Sequence, residues 1–167
     1  SLGDVKIPLD AYYGAETQRA IDNFKISGEK PDWDYTCSVI IIKKCAARVN
    51  MEAGWLNPEK SKAIQQACED VSHSSWQDQF VVDPFQAGAG TSHHMNINEV
   101  IANRATEILG GKKGEYIVNS HNDVNMGQST NDVIPTAIRL GCMKKNVALM
   151  VAINECIATL NNLKNNY

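Results

Sequence analysis

The last fifth of the chain limits the fold more than any other stretch. After Asp132 the apolar residues Met150, Ile153, Ile157 and Leu160 recur at three-four-three spacing, and Val147, Leu149, Val151 and Leu163 widen the stripe. The pattern predicts a single helix over residues 132–166, more than 30 residues long, against a mean of about 11–12 for globular helices. Such a length belongs to a helical bundle or to a helix shared between subunits. It also runs to Tyr167 without a capping signal, as a truncated element would.

The rest of the chain reads as short helices separated by turns. Glu16 to Phe24 places Ala20, Ile21 and Phe24 on one face. Asp34 is a candidate cap for a helix reaching about Ala53, whose Val39, Ile40, Ile41, Ile42, Cys45, Ala46 and Val49 cover more than one stripe and predict a well-buried element. Asn57-Pro58-Glu59 is a cap, proline and acid in the order that starts a helix, here expected to run to about Ser72, with an extension to Phe80 as the alternative. Val81 to Phe85 and Lys112 to Val118 are short extended or turn segments, and Asn119 to Asn125 is a loop dense in turn-formers. With strand signals this few and short, the fold class is all-α.

Composition removes several function classes. The chain has 167 residues, enough for a core of its own, with 21% charged and 43% hydrophobic residues. Net charge is -3, and the basic residues are scattered apart from the doublets Lys43-Lys44, Lys112-Lys113 and Lys144-Lys145, so no nucleic-acid partner is expected. No apolar run approaches bilayer length and no signal peptide opens the chain; no membrane partner is expected, and Ser1 at the start points to processing or trimming. Five cysteines without a C-x-x-C, four of them set in helical patterns, predict buried thiols in a reducing, cytoplasmic setting. The four histidines lack zinc spacing. His93 and His94 point in different directions on a helix, which leaves surface or capping roles and no metal.

Two polar helix entrances carry the chemistry. In Gln86-Ala87-Gly88-Ala89-Gly90-Thr91-Ser92 the glycines permit positive φ and close approach, and Thr91 or Ser92 is placed to cap the helix that ends at Gly110-Gly111. It is not the dinucleotide fingerprint, which needs a third glycine after a longer strand. Gln128-Ser129-Thr130-Asn131-Asp132 opens the long helix, with Pro135 tolerated near its first turn. Each alone is an ordinary cap. If the two converge, their N–H groups and positive dipole ends suit a small ligand with two carboxylates; if they point apart, they merely cap core helices.

Four segments carry a family resemblance. They are Ala11-Tyr12-Tyr13-Gly14-Ala15-Glu16-Thr17-Gln18-Arg19-Ala20, Phe85 to Ser92, Met95-Asn96-Ile97-Asn98-Glu99-Val100-Ile101-Ala102-Asn103, and Asp123-Val124-Asn125-Met126-Gly127-Gln128-Ser129-Thr130-Asn131-Asp132. In this order they resemble the amino-terminal part of the aspartase/class II fumarase superfamily, over essentially the whole chain. The resemblance implies a lyase that forms fumarate by eliminating ammonia or water from a C4 dicarboxylate, through an intermediate with extra negative charge on one carboxylate. It matches Thr91, Ser129, Thr130 and Asn131 to positions that hold the substrate. It also implies a homotetramer, no cofactor, an amino-terminal helical domain over residues 1–128, and the start of a central-bundle helix over residues 129–167.

Ala89, the Ser129-Thr130-Asn131 triplet and the Tyr12-Tyr13 pair lean towards the aspartase side, with L-aspartate as substrate and the fumarase reaction as the alternative. Ala15-Glu16-Thr17-Gln18 is typical of neither. His94 stands where the family more often has asparagine, and Asn119-Ser120-His121-Asn122 replaces the H-P-N-D or N-P-N-D of a secondary dicarboxylate site. The family's G-S-S-x-M-P-x-K-x-N loop, which bears the catalytic serine and a substrate-binding lysine, does not occur in these 167 residues. No catalytic residue is therefore expected within this chain, which reads as an inactive substrate-binding half-site. A reading of another class is a complete, non-catalytic helical interaction module.

Overall fold

The computed structural model describes residues 3–86 and 88–166, so Ala87 of the glycine-rich turn and Tyr167 lie outside the described residues. Five α-helices follow one another: α1 (Ala15–Asn23), α2 (Trp33–Glu52), α3 (Pro58–Val71), α4 (Thr91–Ile108) and α5 (Thr130–Asn166). No strand occurs among the described residues, and the fold is all-α as the sequence predicts. The core forms where α2, α3, α4 and the start of α5 meet. Val39, Ile40 and Ala47 of α2 pack with Ile64, Ala67 and Val71 of α3, Ile97, Val100, Ile101 and Ala105 of α4, and Val133 and Ala137 of α5. Removing these side chains from water is the main stabilising contribution.

Local chemistry sets the boundaries. Asn57 accepts from the N–H groups of Glu59 and Lys60 at 2.8 and 3.2 Å, with Pro58 as the first helical residue, as expected. For α2 the cap is Asp32, not Asp34: its Oδ1 accepts from the Tyr35 N–H at 3.1 Å, and Asp34 falls in the first turn instead. α3 stops at Val71 with Ser72 as its C-cap, as expected; the alternative extension to Phe80 does not form, and a short 3-10 turn over Ser74–Gln79 follows. Ser120–Val124, read as loop, closes as a single π turn capped by Asn119.

α1 is held from outside its own sequence. Gly14 makes no side-chain cap. Buried Glu99 of α4 accepts instead from the N–H groups of Gly14, Glu16 and Thr17 at 2.8, 3.1 and 3.1 Å, and from the Thr17 hydroxyl at 2.6 Å. A Cβ on Gly14 would sit 2.6 Å from Glu99 Oε1, so the glycine makes room for the carboxylate. Two of the family-like segments are thereby joined for a structural reason, the acid neutralising the positive end of α1.

α5 is 37 residues long, about 55 Å at 1.5 Å per residue. Its opening turns lie on α2. Gly141 marks the close approach, where a Cβ would come within 3.3 Å of the Tyr35 backbone. Lys145 and Lys144 then reach Asp32 and Asp34 at 2.9 and 3.3 Å. From Cys142 to Lys164 every residue is exposed, Met143, Val147, Val151, Ile157 and Leu160 included. α2 is also less buried than its composition predicts: Ile41, Cys45 and Val49 face outward while Lys43 faces in. Of the cysteines, Cys37 and Cys68 are buried, but Cys45, Cys142 and Cys156 are exposed; all are free thiols.

Candidate functional site

The two polar helix entrances lie side by side. Gly90 precedes α4 with φ of 87°, a left-handed value that glycine adopts without strain, and a Cβ there would come 3.1 Å from the Ile134 side chain in α5. Neither Thr91 nor Ser92 caps α4. The chain turns at Gly90, Thr91 is the first helical residue, and Gln86 Oε1 takes the His93 N–H at 2.6 Å. Thr91 is exposed at the mouth of α4.

At the second entrance Ser129 does cap. Its Oγ accepts from the Asn131 N–H at 3.2 Å, and its carbonyl accepts from the Asp132 and Val133 N–H groups at 3.1 and 3.0 Å. Ser129 and Asn131 are exposed, and Thr130 is half-buried. α5 starts two residues earlier than the sequence suggests, which puts Pro135 in its second turn. With no N–H at Pro135, the Asn131 carbonyl lacks its usual helical donor.

A hydrogen bond between the His94 Nδ1 of α4 and the Thr130 hydroxyl, 2.8 Å long, joins the entrances. Gly90, Asn131 and Ile134 also line one cavity of about 590 Å³ with Tyr35, His93 and Pro135. That cavity is largely apolar, and Thr91, Ser129 and Thr130 are not in its lining. The candidate site is therefore the pair of adjoining hydroxyl-bearing helix entrances rather than the cavity itself.

Behind Thr130 runs a buried polar chain. Lys43 Nζ hydrogen-bonds His94 Nε2, and it donates to Asn125 Oδ1 at 2.8 Å; the Asn125 amide nitrogen donates in turn to the Gln128 carbonyl at 3.3 Å. Lys43 and His94 are 0% and 1% exposed, which corrects the surface or capping role expected of His94. Burial lowers the Lys43 ammonium to about 7. Burial, reinforced by the charge of Lys43, lowers His94 to about 3, so its imidazole is neutral. His93 is equally buried: it stacks on Tyr35 with ring centroids 4.9 Å apart, and burial likewise holds it at about 3.

Lys43 and Asn125 were not singled out as site residues by sequence reasoning. A signal existed, since Lys43 lies three after Ile40 and four before Ala47, on the core face of α2. Among the described residues no group of His, Cys, Asp and Glu could hold a metal ion, and no helix is long and apolar enough to cross a membrane.

Comparison with known proteins places this arrangement. A family model described as lyase matches residues 3–167. An aspartate ammonia-lyase of Bacillus sp is 46% identical over 159 residues, covering 95% of this chain and 32% of that protein. The chain belongs to the aspartase/class II fumarase superfamily of lyases. Within it, aspartate ammonia-lyase of Bacillus subtilis (strain 168) is 51% identical over 144 residues, and class II fumarate hydratase of Halobacterium salinarum is 48% identical over 143. Among solved structures, fumarate lyase:delta crystallin from Brucella melitensis in native form superposes with a TM-score of 0.90 at 45% identity, covering 95% of this chain and 36% of that one. The superfamily fold is thus shared in sequence and in shape. The chain spans about a third of the length of the relatives it matches, 32% and 30% for the two Bacillus enzymes.

Proposed function

We propose that the full-length protein carrying this chain is a lyase that eliminates ammonia from L-aspartate to give fumarate, and that Thr91, Ser129, Thr130 and Asn131 hold the substrate carboxylates. The observation that supports this reading is the 2.8 Å bond from His94 to Thr130, which sets the first turns of α4 and α5 against each other. Two helix N-termini then present hydroxyls and partial positive charge on one side of the molecule. Removal of a proton beside a carboxylate drives extra negative charge onto that carboxylate. Donors already in place when the charge arrives lower the barrier without reorganising. Thr91 is well suited to this, because Gln86 rather than its own hydroxyl caps α4. Residues outside these 167 supply the base and acid. In this reading the isolated chain binds but does not turn over substrate, residues 1–128 form the amino-terminal domain, and residues 129–167 begin the central bundle of a cytoplasmic homotetramer.

The test is fumarate formation by the full-length protein. Ultraviolet absorbance rising with L-aspartate is the expected result. The class II fumarase relative, at similar identity, makes hydration the second reading; absorbance rising with L-malate but not L-aspartate would select it. No rise with either would remove both and favour a non-catalytic helical module.

A further inference from the structure

We propose that Lys43, acting through His94, fixes the Thr130 hydroxyl as a hydrogen-bond donor towards the substrate, which makes Lys43 and His94 positioning residues of the site. The inference rests on the proposed role of Thr130 in holding a carboxylate.

The direction of each bond follows from what its neighbours permit. The Asn125 amide nitrogen donates to the Gln128 carbonyl, so the Oδ1 must face Lys43 and accept from it. Below about pH 7, where Lys43 is an ammonium and has donors only, it also donates to His94 Nε2. A neutral imidazole that accepts at Nε2 carries its proton on Nδ1. That N–H points at Thr130 Oγ1, 2.8 Å away, and fills one of the oxygen's acceptor positions. The hydroxyl hydrogen of Thr130 has no acceptor among the described residues and is left free for an incoming anion. Were the histidine tautomer reversed, Nδ1 would accept the Thr130 hydrogen and leave a lone pair facing the ligand. A carboxylate would then meet oxygen lone pairs instead of a donor, so the tautomer decides whether Thr130 attracts or repels substrate.

The chain joins α2, the segment before α5, α4 and the entrance of α5, and both of its central members are buried. Its effect is therefore to polarise and orient Thr130, not to contact substrate directly.

Two measurements test this. The first is the ¹⁵N chemical shifts of the His94 ring in the 167-residue chain labelled at histidine, at about pH 6, below the Lys43 value of about 7. The expected result is a neutral ring protonated at Nδ1. A neutral ring protonated at Nε2, or a charged ring, would overturn the proposal whatever the enzyme does.

The second is a kinetic cycle in the full-length protein with whichever substrate it turns over. Thr130→Val and His94→Leu should each lower kcat/KM by about tenfold, the loss of one hydrogen bond to a charged group. The double variant should fall no further than either alone. His94→Asn, which retains one acceptor and one donor, should recover most of the loss. Multiplying losses in the double variant, or no loss for His94→Leu, would refute the role. Absence of turnover with both L-aspartate and L-malate would instead strike the proposed function, and the ring tautomer would still decide this inference.

Discussion

Two acids show how far single side chains hold this molecule together. Burial alone would raise the Asp83 carboxyl, but the N–H groups of Phe85, Gly28 and Ser27 and the Ser27 hydroxyl outweigh it and keep it at about 2. Its folded value lies below the unfolded one, so its contribution is fully present above about pH 4 and is lost as pH falls towards 2. Asp83→Asn should therefore be less stable than the parent at neutral pH. The two should converge across that acid window in urea unfolding followed by circular dichroism. Glu99 accepts from a matching set of donors, three N–H groups and one hydroxyl. Glu99→Leu leaves the N–H groups of Gly14, Glu16 and Thr17 and the Thr17 hydroxyl without their acceptor. That loss should cost at least about 3 kcal/mol in the same experiment. Legibility at this scale was uneven. Thr91 and the Ser129 to Asn131 turn stand out as helix entrances, each an ordinary cap when taken alone, and only the family resemblance ties them to a substrate. Lys43 shows only its place on the core face of α2, and its link to His94 and Asn125 becomes visible once the elements that carry them are packed together.

Element by element, the helices were easier to read than the contacts between them. All five follow from apolar spacing and turn residues, and α3 starts with the asparagine and proline that mark it in the sequence. The errors share one cause. Asp34 for Asp32 and Thr91 or Ser92 for Gln86 are choices among nearby oxygens that only tertiary geometry makes, and the same geometry brings Glu99 to α1, for which the sequence suggests no cap. The overestimated burial of α2 has a related origin, because an apolar face predicts that something covers it without saying what. Gly141 tests the α2–α5 contact. Helix propensity favours replacing it, by about 1 kcal/mol for alanine, but the Tyr35 backbone stands 3.3 Å from where the Cβ would go. Gly141→Leu should push α5 away and lower stability by about 1–3 kcal/mol, read from the thermal midpoint. An unchanged midpoint would mean that α5 is not seated on α2 as described.

On the scale of the whole molecule, the outer part of α5 sets the behaviour. Met143, Val147, Leu149, Val151, Ile157 and Leu160 are exposed on a helix whose last ion pairs with α2 are made by Lys144 and Lys145. An uncovered apolar stripe of this length drives association. Sedimentation of the 167-residue chain should show mass rising with concentration, and a Val147→Lys, Leu160→Lys variant should shift it to the monomer. A parent that stays monomeric at all concentrations would contradict this account of α5. The proposed pairing of the two helix entrances on one dicarboxylate is tested most directly by a crystal structure of the full-length protein with fumarate or L-aspartate bound. One ligand carboxylate should lie at hydrogen-bond distance, about 3 Å, from the Thr91 hydroxyl, and a carboxylate oxygen should lie equally close to the Ser129 to Asn131 turn. A ligand held elsewhere, with either turn remote from both carboxylates, would contradict it.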